Sequence, residues 1–159
     1  MRYDNWHHIL ANMVREYRSK DFVWGESDCV TWASNVAHAI TGRDPVWWIR
    51  GQYDDQQGAV NEIYKLRDRM TTSEQLKYRN DRNKCKELII SRVVSEIYQP
   101  LDSIYYARKG DMVGTCCPEY GVNWYSLGIC LGRYCGYMQD IGGLAYIPLD
   151  QIQHAWRVE

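Results

Sequence analysis

Apolar residues recur at intervals of three and four near the start of the chain. Trp6, Ile9, Leu10, Met13, Val14 and Tyr17 share one stripe, and Arg15, Glu16 and Arg18 lie opposite. That spacing predicts an amphipathic helix over residues 4–18, capped by Asp4 or Asn5, with His7 and His8 on its solvated first turn. A short apolar segment, Phe22-Val23-Trp24, then reaches a turn at Gly25. Beyond it Cys29, Ala33, Val36 and Ile40 fall on one helical face, after the capping residues Ser27 and Asp28. Gly42 stops this second helix, and Asp44-Pro45 keeps it from resuming. PVWWIRGQY reads as a loop with an aromatic cluster; if it is extended, side chains alternate and the two tryptophans cannot both enter one core, so one of Trp47 and Trp48 faces a partner or a groove. A third helical pattern spans Gly58 to Met70, with Ala59, Ile63, Leu66 and Met70 on one side.

Thr71 and Glu74 form a capping-box pattern that opens a polar helix expected from Ser73 to about Ser95. Its middle, KYRNDRNKCKE, is so poor in apolar positions that it reads as an exposed insertion or a surface that meets a neighbour. LIISRVVSEIYQP regains apolar character. The remainder switches to short β-type runs punctuated by Gly and Pro: MVGTCC, VNWYSLGICLG, RYCGYMQDIGG, LAYIPLDQI and AWRV. Helices first and strands later is an α+β order, with an antiparallel sheet of four to six strands. A length of 159 residues fits one domain, with residues of about 60–105 as a helical insertion or extension.

Composition narrows the function classes. A formal net charge of −1 and the lack of a basic stripe exclude a nucleic-acid footprint. No apolar run is long enough to span a membrane, and MRYDNWHHIL lacks the apolar core of a secretory signal. The six cysteines are therefore expected as reduced thiols. They form no C-x-x-C pair, and adjacent Cys116 and Cys117 chelate poorly, so neither a metal nor any other cofactor is expected. Thirteen Tyr and seven Trp against a single Phe point to aromatic surface that is wetted or contacted as readily as to a Trp-rich core.

The candidate chemistry is Cys29. In the first turn of a capped helix, unpaired N–H groups and the macrodipole favour a thiolate. The same residue lies on the apolar stripe of its helix, where it reads equally as a small packing side chain.

Several stretches taken together resemble a family of small bacteriophage tail proteins related to NlpC-type cell-wall peptidases. They are Trp24-Gly25, Asp28-Cys29, Thr41-Gly42, Asp44-Pro45 and Arg50-Gly51-x-Tyr53, then Gly110-Asp111-Met112-Val113, Ser126 to Gly132, Gly143-Leu144 to Leu149, and Ala155 to Val158. The resemblance implies a papain-like fold with a nucleophile at Cys29. It also implies a histidine in a segment reading His-Val-Gly-Ile in active peptidases. The matching segment here is Ser126-Leu127-Gly128-Ile129, and a serine hydroxyl is no base near neutral pH. Among the other histidines, His38 is nine residues from Cys29 on one helix, about 13 Å away; His7, His8 and His154 have no place in the family pattern. Tyr125, Tyr137, Gln139 and Asp140 are candidates to line a groove.

The expectation is accordingly a structural virion component, a tail or connector subunit on an inactive NlpC-type fold, with Cys29 vestigial and Asp28 and Ser126 as remnants of the cleft. Trp47, Trp48, Lys77, Arg79, Arg82 and Lys84 are the expected contact residues. The resemblance implies other virion proteins as partners, in a symmetric multi-copy assembly put together in the host cytoplasm. The alternative is a cysteine peptidase or amidase that cuts peptidoglycan during DNA entry. A binding module that reuses the cleft is a third reading, with no specific residue behind it.

Overall fold

The computed structural model describes all 159 residues. Five α-helices come first: α1 (Trp6–Tyr17), α2 (Thr31–Thr41), α3 (Gln56–Tyr64), α4 (Thr72–Lys77) and α5 (Arg82–Ile97). Six strands follow: β1 (Gln99–Pro100), β2 (Met112–Cys117), β3 (Val122–Cys130), β4 (Tyr134–Met138), β5 (Leu144–Pro148) and β6 (His154–Arg157). They form one antiparallel sheet in the order β1-β6-β2-β3-β4-β5. The α+β order and the expected number of strands hold; β1, two residues long, is too short to carry a pattern.

The apolar stripes explain the layering. Tyr125, Leu127 and Ile129 of β3 point into the larger core, shared with Ala33, Val36 and Ile40 of α2 and with Ile89, Ile90, Val93 and Val94 of α5. Alternation along the strands sends Val113, Cys130, Cys135, Tyr137 and Ile147 to the opposite face. Loop residues Leu101, Ile104, Ala107 and Leu149 cover that second core. Both faces of the sheet are therefore dry.

The polar helix expected from Ser73 to Ser95 is two helices. The capping box at Thr71 and Glu74 forms, but α4 ends at Lys77, and α5 restarts after Asp81, whose side chain accepts from the Lys84 N–H. Asn80 and Asp81 favour a turn and a cap over helix continuation. Nor is this region an appended exposed element: α5 buries Cys85, Ile89, Ile90, Val93 and Val94 against the sheet. Its apolar positions are diluted by charge on the outer side, which hides the stripe from a simple count.

PVWWIRGQY is a loop, as expected, but its tryptophans are not on extended backbone. Trp47–Ile49 is a 3-10 turn. Trp47 is 71% exposed, while Trp48 packs against the larger core. The split between the two tryptophans holds, with a tight turn rather than strand alternation as its cause.

The chain ends are tied together at the buried carboxyl of Asp111. It accepts from Arg2 Nη2 at 2.6 Å, Arg157 Nη1 at 2.8 Å and the backbone N–H groups of Arg108 and Val158. Burial pushes this carboxyl up, against the pull of those donors. Glu74 is the opposite case. Paired through both oxygens with Arg92 and accepting from the Thr71 N–H, it is held down at about 2.

Two outcomes follow for stability. A Cβ at Gly128 would sit 2.6 Å from the Gly136 carbonyl oxygen and 2.7 Å from the buried Tyr137 ring. Gly128→Ala should cost about 1–3 kcal/mol in a denaturant titration, as overpacking does. Because the folded value of Glu74 lies below its ordinary one, its contribution is complete above about 4.3 and is lost as pH falls towards about 2. The stability gap between wild type and Glu74→Gln should narrow over that window in acid-unfolding curves.

Candidate active site around Cys29

The site is built on the loop before α2. Gly25 adopts a left-handed conformation, φ 79°, and a Cβ there would stand 2.7 Å from the Tyr53 carbonyl oxygen. This close approach lets the Gly51 N–H donate to the Gly25 carbonyl at 3.2 Å and brings the loop carrying Tyr53 alongside. The Asp28 carboxylate sits at the centre. One oxygen accepts from the Gly25 N–H at 2.8 Å and the Tyr53 hydroxyl at 2.6 Å. The other accepts from the Val30 and Thr31 N–H groups, both at 2.9 Å, and from the Thr31 hydroxyl at 3.1 Å. Burial and the neighbouring carboxylate push the Tyr53 phenol far up, so it stays a donor.

Asp28 thus takes the N–H groups of Val30 and Thr31, but α2 begins at Thr31 and its N-cap is Val30, which makes no side-chain cap bond, rather than the expected Ser27 or Asp28. Cys29 lies in the turn ahead of the helix and not within its first turn. The carboxylate takes up the donors that a thiolate would have drawn on. The Cys29 carbonyl accepts from the Leu127 N–H at 2.8 Å, which pins the cysteine against β3 next to Ser126.

Two side chains flank the half-buried thiol. Lys86 Nζ of α5 lies 3.2 Å from Cys29 Sγ, and the Ser126 hydroxyl is beside it. The serine hydroxyl also donates to the Trp124 carbonyl at 2.8 Å. Burial pushes the thiol up, and Asp28 adds to that; Lys86 and Ser126 pull the other way without reversing it. Cys29 is therefore held as a neutral thiol.

Trp24 and Trp124 close over the thiol and leave two small cavities, each of about 40 Å³. One runs towards α3 and α5, past Ala59, Ile63, Arg82 and Lys86; the other runs past Phe22, Ser126, Met138 and Asp140. Small-molecule sites usually span about 300–1,000 Å³, so neither chamber admits a substrate peptide as it stands. No histidine lines either one.

The histidines are placed elsewhere. His7 and His8 are exposed on α1, and His38 faces outward on α2. His154 stacks on Trp156, with its Nδ1 3.0 Å from the Tyr125 hydroxyl and its Nε2 3.9 Å from Glu87. Of the groove candidates Asp140 does line a chamber, whereas Tyr137 is buried on the other face of the sheet, its hydroxyl without a partner.

Cys29, Asp28 and Ser126 are brought together. Arg82 joins them at the rim of a chamber, while Lys77 and Arg79 stay exposed near the α4–α5 turn. Lys84 is half-buried and paired with Glu87 at 2.7 Å. Trp47 and Trp48 line neither chamber. Sequence reasoning misses Lys86 and Trp124, and it does not foresee Tyr53 as the partner of Asp28. Lys86 stands 57 positions from Cys29, in a run of charges that gives it no distinguishing mark. Its spacing of four from Arg82 is the one available signal, since it puts both on one helix face.

Fold and site define a class: an α+β protein whose cysteine is held in the turn before α2, beside a buried carboxylate and against a central strand of an antiparallel sheet. By sequence, the chain belongs to the family described as Domain of unknown function (DUF6950), whose model matches residues 1–158. No curated protein and no solved structure matches it.

The environment of the thiol predicts its reactivity. Alkylation at Cys29, followed by peptide mass spectrometry, should be slower at neutral pH than that of free cysteine and should rise only above the ordinary thiol range. Lys86→Met removes the strongest force that lowers the thiol value, so it should move the rise to still higher pH.

Proposed function

We propose that this protein is a structural bacteriophage virion component, a tail or connector subunit, built on a papain-like NlpC-type fold that no longer turns over substrate. The observation that carries the reading is the surroundings of Cys29: a neutral thiol between Lys86 and Ser126, in chambers of about 40 Å³ that no histidine lines. Acyl transfer by cysteine needs a base within hydrogen-bond reach. An ammonium has three donors and no acceptor, and the serine hydroxyl is already committed to a carbonyl. One helix, then the cysteine loop, then four more helices and an antiparallel sheet is an α+β order consistent with a papain-like ancestry. Exposed aromatics, among them Trp47, Tyr105, Tyr106 and Tyr134, suit a subunit packed among neighbours. In this reading the protein is assembled into the particle in the host cytoplasm, in several symmetric copies.

One observation favours the second reading, a cysteine peptidase or amidase acting on peptidoglycan during DNA entry. Lys86 at 3.2 Å is a cation that would stabilise a thiolate once formed. Turnover by that route still requires a proton acceptor and a cleft that opens.

Two measurements separate the readings. A virion subunit copurifies with particles and buries about 800 Å² or more against a partner; recovery only as free protein in the lysate would refute it. Cys29→Ser should leave incorporation and infectivity nearly unchanged, and neither wild type nor variant should release muropeptides from peptidoglycan. Release by wild type that disappears in Cys29→Ser would establish the peptidase instead.

A further inference from the structure

The cations around α4 and α5 divide into two sets. Lys84, Arg92 and Arg69 are paired, with Glu87, with Glu74, and with Asp68 and Glu96 respectively. Lys77, Arg79, Arg82 and Lys86 have no carboxylate within ion-pair distance. Arg82 and Lys86, four apart on one face of α5, both line the apolar chamber beside Cys29. Lys86 is half-buried there, and its hydrogen-bond partner is the Cys29 thiol. A half-buried ammonium facing a neutral thiol and two tryptophans lacks the counter-charge that buried ions normally keep. The chamber supplies apolar walls and two cations, and two of its lining residues, Arg82 and Trp124, are exposed. With a volume of about 40 Å³, it admits one small aliphatic group.

We infer that this chamber is a docking site for an acidic protein segment, which places a small aliphatic side chain between Trp24 and Trp124 and its flanking carboxylates on Arg82 and Lys86. The inference rests on the subunit reading for the source of that segment, a neighbouring virion protein. Charge complementarity selects the occupant: a basic or neutral segment would leave both cations unpaired. A tryptophan wall beside an arginine is also the composition that dominates protein contacts.

The test uses the full chain and a fluorescein-labelled blocked peptide, Glu-Asp-Val-Glu-Asp, read by anisotropy. Wild type should bind it saturably at low salt and more weakly as salt rises, since exposed charge pairs are screened. Arg82→Gln, at an exposed position that folding does not need, should weaken binding several-fold. Arg82→Gln with Lys86→Gln should weaken it about tenfold or more, as loss of two charge-assisted contacts implies. Gly in place of Val in the peptide should weaken binding several-fold, and Lys109→Gln, remote from the chamber, should change nothing. Circular dichroism checks that each variant is folded. No saturable binding, equal binding of a Lys-substituted peptide, or an unchanged affinity in folded Arg82→Gln would overturn the inference. So would tighter binding of a single-stranded DNA oligomer or of a peptidoglycan stem peptide. The assay needs no particle, so its failure is distinct from failure of the subunit reading, which is judged by incorporation.

Discussion

The buried carboxylate of Asp28 is the constraint around which the cysteine region is arranged. It lies in a pocket with no cation in contact, and three backbone N–H groups and two hydroxyls solvate it. Each of those donors belongs to a segment that must be in place: the Gly25 turn, the start of α2 and the loop carrying Tyr53. An ionised acceptor makes such bonds shorter and stronger than neutral ones, and leaving any of the donors buried and unpaired costs about 1–3 kcal/mol each. One carboxylate thereby couples three stretches of chain and sets where Cys29 stands. It also sets what Cys29 is. A negative charge next to the thiol opposes a second one, and the helix N–H groups that could favour a thiolate are already taken.

The helical layer completes the picture from the other side. α5 lies over β3 because its apolar positions need the same sheet face that α2 uses. Its first turns then carry Arg82 and Lys86 over the cysteine, and its Asn83 accepts from the Tyr125 N–H at 2.5 Å. The site is therefore closed by a core element and not by a detachable flap. Trp24 and Trp124 line the two small chambers beside the thiol, Lys86 and Ser126 flank it, and burial pushes it up.

The same packing makes the second face of the sheet intolerant. Gly128 has no space for a methyl group because the Tyr137 ring lies across it, and β4 approaches from the next position. The SLGIC segment is thus constrained from both sides: Leu127 and Ile129 fill the larger core, and Gly128 admits the ring of the smaller one. Ser126 sits at the end of that segment, small and buried, where its hydroxyl meets both the Trp124 carbonyl and the thiol.

What the sequence determined by itself is what local chemistry decides. The stripe of α1, the stop at Gly42, the capping box at Thr71 and Glu74, and five of the six strands follow from spacing and from residues with strong backbone preferences. Asp28 as an acceptor for N–H groups just ahead of α2 was also legible, from its position. Other features depend on contacts between distant segments, which no local pattern records. The break between α4 and α5 looks like continuous polar helix until the buried side of α5 is known. The start of α2 at Thr31 depends on where the Asp28 carboxylate is held by Gly25 and Tyr53. Lys86 reaches Cys29 only because two helices share one sheet face, so a charged residue in an apparently solvated run becomes the nearest cation to the thiol. Only the tertiary structure decided that, because the energy of a charge depends on what is packed around it and not on its neighbours in the chain.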